Sequence, residues 1–261
     1  MVLPDYGIID LMKESAIKIA STVAGFMLPM VIAVPLFLFF SQGSMIFPVP
    51  TVSQEQISES ARRDHVEELH LVASDGTPLY GRHGKARGER GVIFFHGNGG
   101  SVAYSGVLNA FYIERGWDFI VVEYRGYPGS GGTPSEEGIA LDALAAWNYA
   151  TDTLGIPSSH LILYGQSLGG GVASRLASVV SPGGLLVEAS FTSLADVAAQ
   201  RYPVPFARKF VKHPFNTRKY AATVTCPTLI LHGTADTVIP VSHGQQLATM
   251  FADATYVEAP D

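Results

Sequence analysis

Short apolar runs alternate with helical patterns over residues 64–261, and this alternation most limits the possible folds of the chain. The runs lie at 92–95, 118–124, 161–164, 185–187, 228–231 and 254–260. Strands that are apolar on both faces are typical of a parallel sheet covered by helices, and their alternation with helices indicates a doubly wound sheet. A hairpin with its turn at 74–77 is predicted to precede them. We therefore predict an α/β fold with a mostly parallel sheet.

One predicted helix follows the strand at 118–124. Thr133 and Glu136 match a capping box, and Pro134 would occupy the first helical position. Apolar side chains recur on one face behind them, which is typical of an amphipathic helix packed on a sheet. The helix is expected to end near Gly155.

Residues 19–54 contain no charged side chain, and residues 19–40 are almost wholly apolar. As a helix the run 19–40 would be roughly 33 Å long, which matches a bilayer core of about 30 Å. Membrane helices tolerate prolines such as Pro29 and Pro35. We therefore predict a transmembrane helix at 19–40. A buried core helix and a cleaved signal peptide are the alternatives, although a signal peptide has only about 7–15 apolar residues.

The distribution of basic residues predicts an orientation for this membrane anchor. Two lysines lie in residues 1–18, whereas no basic residue follows the span until Arg62. The positive-inside rule places residues 1–18 in the cytoplasm and the bulk of the chain on the opposite side of the membrane. Residues 41–63 are expected to form a linker, and residues 64–261 the α/β domain.

Composition excludes several other classes of protein. The chain is 47% hydrophobic and 15% charged with a net charge of −6, which excludes disorder and argues against nucleic acid as a partner. The single cysteine, Cys226, forbids a disulfide within the chain and a zinc site built on several cysteines. The sequence also lacks a His-Glu-x-x-His motif, so no metal is expected.

A candidate nucleophile follows the predicted strand at 161–164. The segment Gly165-Gln166-Ser167-Leu168-Gly169 is a Gly-x-Ser-x-Gly motif between a strand and a helix, which is the context that a nucleophile elbow requires. The serine would sit at a strained turn where flanking side chains collide with the strand and the helix, so glycine is needed at 165 and 169. A chance Gly-Ser turn is the alternative. We predict Ser167 as the nucleophile.

The segment His96-Gly97-Asn98-Gly99-Gly100 follows the predicted strand at 92–95 and suits an oxyanion loop. Acyl transfer needs two N–H donors aimed at the developing oxyanion, and the expected pair is the backbone N–H of Asn98 and that of Leu168. An ordinary glycine turn is the alternative. His96 is expected to be a structural hydrogen-bonding residue, not the catalytic base.

A candidate acid follows the predicted strand at 228–231. Asp236 comes after Ser167 in the chain, which is the order found in the nucleophile-elbow fold. A carboxylate there would orient a histidine and stabilise its imidazolium form. An Asx turn after a strand is the alternative.

These motifs, together with Glu123-Tyr124-Arg125-Gly126-Tyr127-Pro128-Gly129-Ser130-Gly131 and the segment at 188–196, resemble the α/β-hydrolase superfamily. They are similar to its membrane-anchored branch of small serine hydrolases, which includes protein depalmitoylases and lysophospholipases. The resemblance implies hydrolysis of a small-molecule or lipid-like acyl ester or thioester through a Ser-His-Asp triad and an acyl-enzyme, without metal or cofactor. An aminopeptidase and a non-catalytic anchored binding protein of the same fold are the alternatives.

The catalytic histidine is the one departure from the family pattern. In the family it follows the last strand, and here the run at 254–260 resembles that strand while the sequence stops at Asp261. The base is therefore expected a few residues further on, and the hydrolase domain is expected to be incomplete at its C-terminus. His243 is the alternative within the chain, although the family often has a histidine there without a catalytic role.

Residues 197–235 form a basic segment without acidic residues, which should lie near the mouth of the pocket. Its cations are Arg201, Arg208, Lys209, Lys212, Arg218 and Lys219. They could meet anionic lipid head groups, but a solvated face over a small core is the favoured interpretation.

Overall fold

The structure is a computed structural model that describes residues 6–201 and 207–260, apart from some side chains in the first helix. The chain divides into two compact units, Met1–Gln42 and Gly43–Asp261. The second unit contains the sheet and the candidate site.

The first helix, α1, covers Tyr6–Ile46. The membrane span predicted at 19–40 falls inside it, and many of the side chains in that range lie outside the described residues. Among the residues that are described, no helix is both long enough and apolar enough to cross a membrane, so the predicted span has no support from the structure. Helices also occupy much of the predicted linker at 41–63, because α1 continues to Ile46 and α2 begins at Gln54.

Eight strands form a single sheet in the described part of the chain. They are β1 (Glu67–Val72), β2 (Pro78–Gly84), β3 (Gly91–Phe95), β4 (Asp118–Val122), β5 (Leu161–Gln166), β6 (Gly184–Glu188), β7 (Thr228–Gly233) and β8 (Ala254–Ala259). Their order in the sheet is β1-β2-β4-β3-β5-β6-β7-β8. The β1–β2 hairpin is antiparallel, β2 pairs antiparallel with β4, and all later pairs are parallel. The predicted hairpin and the mostly parallel α/β sheet are confirmed.

The remaining helices lie before and between the strands. They are α2 (Gln54–Arg63), α3 (Gly106–Glu114), α4 (Glu136–Asn148), α5 (Leu168–Ala177), α6 (Leu194–Arg201), α7 (Thr217–Ala221) and α8 (Ser242–Ala248). Short 3₁₀ turns lie at Val102–Tyr104, Ser158–His160 and Ala207–Phe210, and a π-helical turn at Tyr149–Thr153 extends α4.

The predicted start of α4 is wrong by two residues. Ser135, not Thr133, is the N-cap, because its hydroxyl accepts the Gly138 N–H at 3.0 Å from an extended backbone. Helical residues therefore begin at Glu136, and Pro134 precedes the cap. Two hydroxyl residues flank the proline, and the sequence pattern alone favoured the first of them.

Burial differs between the centre and one side of the sheet. Strands β3 and β4 are buried along their whole length, as expected for a sheet covered on both faces. In β7 buried and more exposed residues alternate, and Leu229 is 39% exposed. The prediction of burial on both faces is therefore confirmed at the centre and wrong for β7.

Candidate active site

Ser167 lies at the junction of β5 and α5 in a strained backbone conformation. Its φ of 53° and ψ of −114° are unusual for a residue with a side chain. The Ser167 N–H donates to Glu188 O at 2.8 Å, and the Ser190 hydroxyl donates to Ser167 O at 2.8 Å. These two hydrogen bonds hold the turn, so the strain is fixed by the neighbouring strand β6 and the residues after it.

The glycines at 165 and 169 leave no space for a side chain. A Cβ on Gly165 would overlap the carbonyl of Gly169, and a Cβ on Gly169 would overlap the carbonyl oxygen of Phe95. The close packing that the sequence pattern predicts around this turn is therefore present. It allows β5 to pass directly into α5 with Ser167 at the apex.

The loop after β3 packs directly against the nucleophile. A Cβ placed on Gly97 would lie 3.2 Å from Ser167 Cβ and 3.9 Å from Ser167 Oγ. The Gly100 N–H donates to Gly97 O at 3.0 Å and closes a tight turn. Asn98 therefore stands in a turn whose backbone borders Ser167.

Leu168 carries the second predicted donor and directly follows Ser167 in the chain. It is the first residue of α5, where backbone N–H groups have no partner within the helix. The positive end of the helix dipole also favours negative charge at this position. The structure thus brings both predicted oxyanion donors, Asn98 and Leu168, next to Ser167.

The side chain of Asn98 makes contacts of its own outside the loop. Its Nδ2 donates to Met45 O at 3.0 Å and to Ile46 O at 3.1 Å. The amide side chain is therefore engaged with the segment before α2. These contacts use Nδ2 and leave the backbone N–H of Asn98, the predicted oxyanion donor, out of the hydrogen bonds to this segment.

Asp236 follows β7 in a turn that its own side chain stabilises. Its Oδ1 accepts the N–H of Val238 at 2.8 Å and that of Ile239 at 2.9 Å, which is the predicted Asx-type alternative. Its Oδ2 lies 3.5 Å from His232 Nε2. The two backbone donors fix the orientation of the carboxylate, so the turn is also compatible with the role of a triad acid.

His232 is the histidine that the described residues place beside Asp236, and the sequence analysis did not single it out. Its side chain is fully buried, and its Nε2 lies 2.8 Å from Ile239 O. A ring without solvent exposure, hydrogen-bonded to a backbone carbonyl, acts as a structural support for the Asp236 turn. The sequence signal that could have identified His232 was its position directly before Gly233, at the end of an apolar strand.

His243, the alternative base within the chain, is buried in another network. Its Nδ1 accepts the Thr192 N–H at 3.3 Å, and its Nε2 lies 3.3 Å from Gln200 Oε1. Thr192 Oγ1 lies 3.0 Å from the same Nδ1 and donates to Asp196 at 2.9 Å. Both ring nitrogens thus have partners, buried Thr192 and exposed Gln200, and neither partner is Ser167, which does not favour His243 as the base.

We expect His243 to make the stability of the protein pH-dependent. Burial lowers the pKa of His243 below its ordinary value of 6.5, because desolvation disfavours the imidazolium and a second N–H would face the Thr192 donor. The stabilising contribution is complete above pH 6.5 and is lost as the pH falls towards the lowered folded-state pKa. The free energy of unfolding should fall in that window by up to about 1.4 kcal/mol per pH unit for this one group.

Urea denaturation at pH 5.5–7.5 measures this effect as the difference between the wild type and His243→Asn. The variant should show a shallower loss of stability on acidification. His160→Asn, which changes an exposed histidine, is the matched control and should follow the wild type. Equal pH slopes for His243→Asn and the wild type would contradict the prediction.

Part of the basic segment is tied to a single buried carboxylate. Arg208 Nε lies 3.0 Å from Asp196 Oδ1, and Arg218 Nη2 lies 2.7 Å from Asp196 Oδ2. Burial raises the pKa of Asp196, but hydrogen bonds from Ser193 and Thr192, and then the charges of the two arginines, outweigh burial and hold the pKa below its ordinary value. Two of the predicted surface cations therefore also have a structural role.

Clusters of potential metal ligands bear on the expectation that the site uses no metal. In residues 6–201 and 207–260 no group of three His, Cys, Asp or Glu side chains could hold a metal ion.

Comparison with known proteins identifies the class. A family model described as the alpha/beta hydrolase fold matches residues 91–184, and one described as serine hydrolase (FSH1) matches residues 147–260. The alpha/beta hydrolase domain-containing protein WAV2 of Arabidopsis thaliana is 30% identical over 257 residues, covering 88% of this chain and 83% of that protein.

Two solved structures show the same fold. An alpha-beta hydrolase from Vibrio vulnificus matches with a TM-score of 0.67 at 23% identity, and the match covers 85% of this chain and 83% of the Vibrio chain. The esterase Pf2001 from Pyrococcus furiosus matches with a TM-score of 0.65 at 20% identity, and the match covers 82% of this chain and 89% of the esterase chain.

The chain belongs to the α/β-hydrolase family, since a relative that bears this description is 30% identical over most of both proteins. The serine hydrolase model spans both Ser167 and Asp236. The superfamily and the fold predicted from the motifs are confirmed. The roles of individual site residues and the membrane-anchored branch stay predictions.

Proposed function

We propose that the protein is a serine hydrolase that cleaves an acyl ester or thioester. The observation that carries the proposal is the position of Ser167, at a strained strand–helix turn directly beside the Gly97–Asn98 turn. A hydroxyl at such an apex is exposed to a substrate carbonyl, while backbone N–H groups on both sides can stabilise an oxyanion. The serine hydrolase model and the esterase neighbour support the same reaction class.

In the proposed mechanism, Ser167 Oγ attacks the acyl carbonyl and loses its proton to a histidine base. The tetrahedral oxyanion accepts hydrogen bonds from the N–H groups of Asn98 and Leu168. Collapse of this intermediate expels the alcohol or thiol, which takes the proton, and leaves an acyl-enzyme. Water, deprotonated by the same base, then attacks the acyl-enzyme and releases the carboxylic acid and free Ser167.

The position of the base is proposed from the end of the sheet. Strand β8 pairs parallel with β7 so that Ala259 lies opposite Gly233, and the Thr234 N–H donates to Ala259 O at 3.0 Å. The C-terminal end of β8 therefore lies beside the turn that holds Asp236. A histidine in that segment would meet the Asp236 carboxylate, whose orientation two backbone N–H groups already fix.

The substrate class and location are proposed from the sequence motifs. Their similarity to membrane-anchored depalmitoylases and lysophospholipases favours a lipid-like acyl group on an alcohol or thiol. The distribution of lysines favours a cytoplasmic N-terminus with the hydrolase domain on the opposite side of a membrane. Hydrolysis of acyl thioesters in preference to aminoacyl amides would distinguish this substrate class from the aminopeptidase alternative.

A fluorophosphonate probe tests the nucleophile, because it forms a covalent bond with an activated serine. We expect the full-length protein to be labelled at one site, and peptide mass mapping should find the adduct on Ser167. Prior treatment with a slowly hydrolysed acyl ester should protect that site. No labelling would contradict the proposed function and favour a non-catalytic binding protein. Labelling at a different serine would contradict Ser167 as the nucleophile.

A further inference from the structure

We propose that His96 and Glu123, a buried pair beneath the loop after β3, aim the backbone N–H of Asn98 at the oxyanion. The inference rests on the proposed function, because it assigns positioning residues to that same site. It concerns two side chains that do not contact the substrate in the proposed mechanism.

The pair stands where two neighbouring parallel strands end. His96 directly follows β3 and Glu123 directly follows β4, and these strands are paired in the sheet. The two side chains are 3% and 0% exposed, and His96 Nε2 lies 3.4 Å from Glu123 Oε2. A buried carboxylate costs several kcal/mol to desolvate unless polar groups surround it, so its retention here indicates a specific arrangement.

The other nitrogen of the His96 ring controls the peptide that carries the proposed donor. His96 Nδ1 lies 3.0 Å from Gly97 O. The Gly97 carbonyl and the Asn98 N–H belong to one planar trans peptide, in which these two groups point in opposite directions. Holding the carbonyl towards the buried ring therefore turns the Asn98 N–H away from it.

Glu123 holds the far end of the same loop. Its Oε1 accepts the Val102 N–H at 3.0 Å and also the hydroxyl of Ser101. One carboxylate thus lies beside His96 at the start of the loop and accepts hydrogen bonds from Ser101 and Val102 at its end. The loop becomes a closed unit, and the Asn98 peptide lies between the two attachment points.

The space around the ring allows little rotation. The Tyr124 ring centroid is 4.2 Å from that of His96, and the Tyr124 hydroxyl donates to His96 O at 2.8 Å. A Cβ on Gly100 would lie 2.9 Å from His96 Nδ1, so glycine is needed for the loop to close over the ring. Packing therefore fixes the ring that orients the peptide.

Steady-state hydrolysis of a p-nitrophenyl ester by the full-length protein tests the inference. We expect His96→Ala to lower kcat about 10- to 100-fold, since loss of one oxyanion donor costs about 100- to 1000-fold and a misaimed donor should cost less. KM should change less than about threefold, because ground-state binding does not use the oxyanion donors. His96→Asn should recover part of kcat, because its amide can replace Nδ1 as the donor to Gly97 O. Glu123→Gln should lower kcat in the same direction.

The matched control is His83→Ala, which removes another buried histidine next to a carboxylate. His83 is 1% exposed and its Nε2 lies 3.8 Å from Oδ1 of Asp118, the residue at the opposite end of β4. This variant should lower the thermal midpoint but leave kcat unchanged. An equal loss of kcat in His83→Ala and His96→Ala, or a His96→Ala kcat within twofold of the wild type, would overturn the inference.

The same assay separates this inference from the proposed function. If Ser167→Ala is inactive while His96→Ala keeps full kcat, only the positioning role fails. If Ser167→Ala hydrolyses the ester as fast as the wild type, the proposed nucleophile fails and the positioning role with it.

Discussion

Replacement of Ser167 by alanine should reduce ester hydrolysis by at least about 10⁴-fold, with little change in folding. The hydroxyl is the proposed attacking group, and loss of a triad member in serine hydrolases costs several orders of magnitude in kcat. Alanine keeps the Cβ that already fits the turn, and the two hydrogen bonds that hold the turn use backbone atoms of Ser167. Measured kcat should therefore fall while the thermal midpoint stays close to that of the wild type.

Ser178→Ala is the matched control for this substitution. Ser178 follows the other end of α5, and its hydroxyl donates to Arg175 O within the same helix. This variant should keep wild-type kcat. Residual activity of Ser167→Ala above about a tenth of the wild-type rate would show that another group attacks the substrate.

Replacement of Gly169 by alanine should destabilise the protein by about 3 kcal/mol or more. The added Cβ would overlap the carbonyl oxygen of Phe95, an atom of the central strand β3 that has no freedom to move aside. Helix α5 would have to shift away from β3, and Ser167 would shift with it. Chemical denaturation should show the loss of stability, and ester hydrolysis should fall with it.

Gly171→Ala provides the contrast on the same helix. A Cβ there would lie 3.3 Å from Phe215 Cβ, a contact that a shift of a few tenths of an ångström would relieve. Alanine also favours the helix by about 1 kcal/mol over glycine, so the net change should lie within about 1 kcal/mol. Similar unfolding free energies for the two variants would contradict the idea that Gly169 is held by a backbone contact.

The sequence predicts the strands and the nucleophile turn well because their signals are local. Each parallel strand is a short apolar run between turns. The glycines around Ser167 are required for steric reasons, because a Cβ at position 165 or 169 would overlap neighbouring backbone atoms. The start of α4 was misplaced because Thr133 and Ser135 are both good caps. Backbone conformation, which a pattern does not contain, selects Ser135.

Residues that act through the packing of distant segments are harder to predict. Glu123 was visible only as part of a family motif, and its contact with His96 depends on the pairing of β3 with β4. His232 likewise gains its place beside Asp236 from the turn after β7. Exposure of Leu229 depends on which parts of the chain cover that face of the sheet, and the apolar run alone does not contain that information.

The contacts of Asn98 with Met45 and Ile46 show that the hydrolase domain includes residues well before the first strand. The compact unit that holds the sheet starts at Gly43, well before the first strand. Phe47, only 4% exposed, packs its ring 6.0 Å from that of Phe215. A shortened protein that starts at the first strand would lose these hydrogen bonds to the loop beside Ser167. The segment before α2 is therefore a structural part of the hydrolase domain.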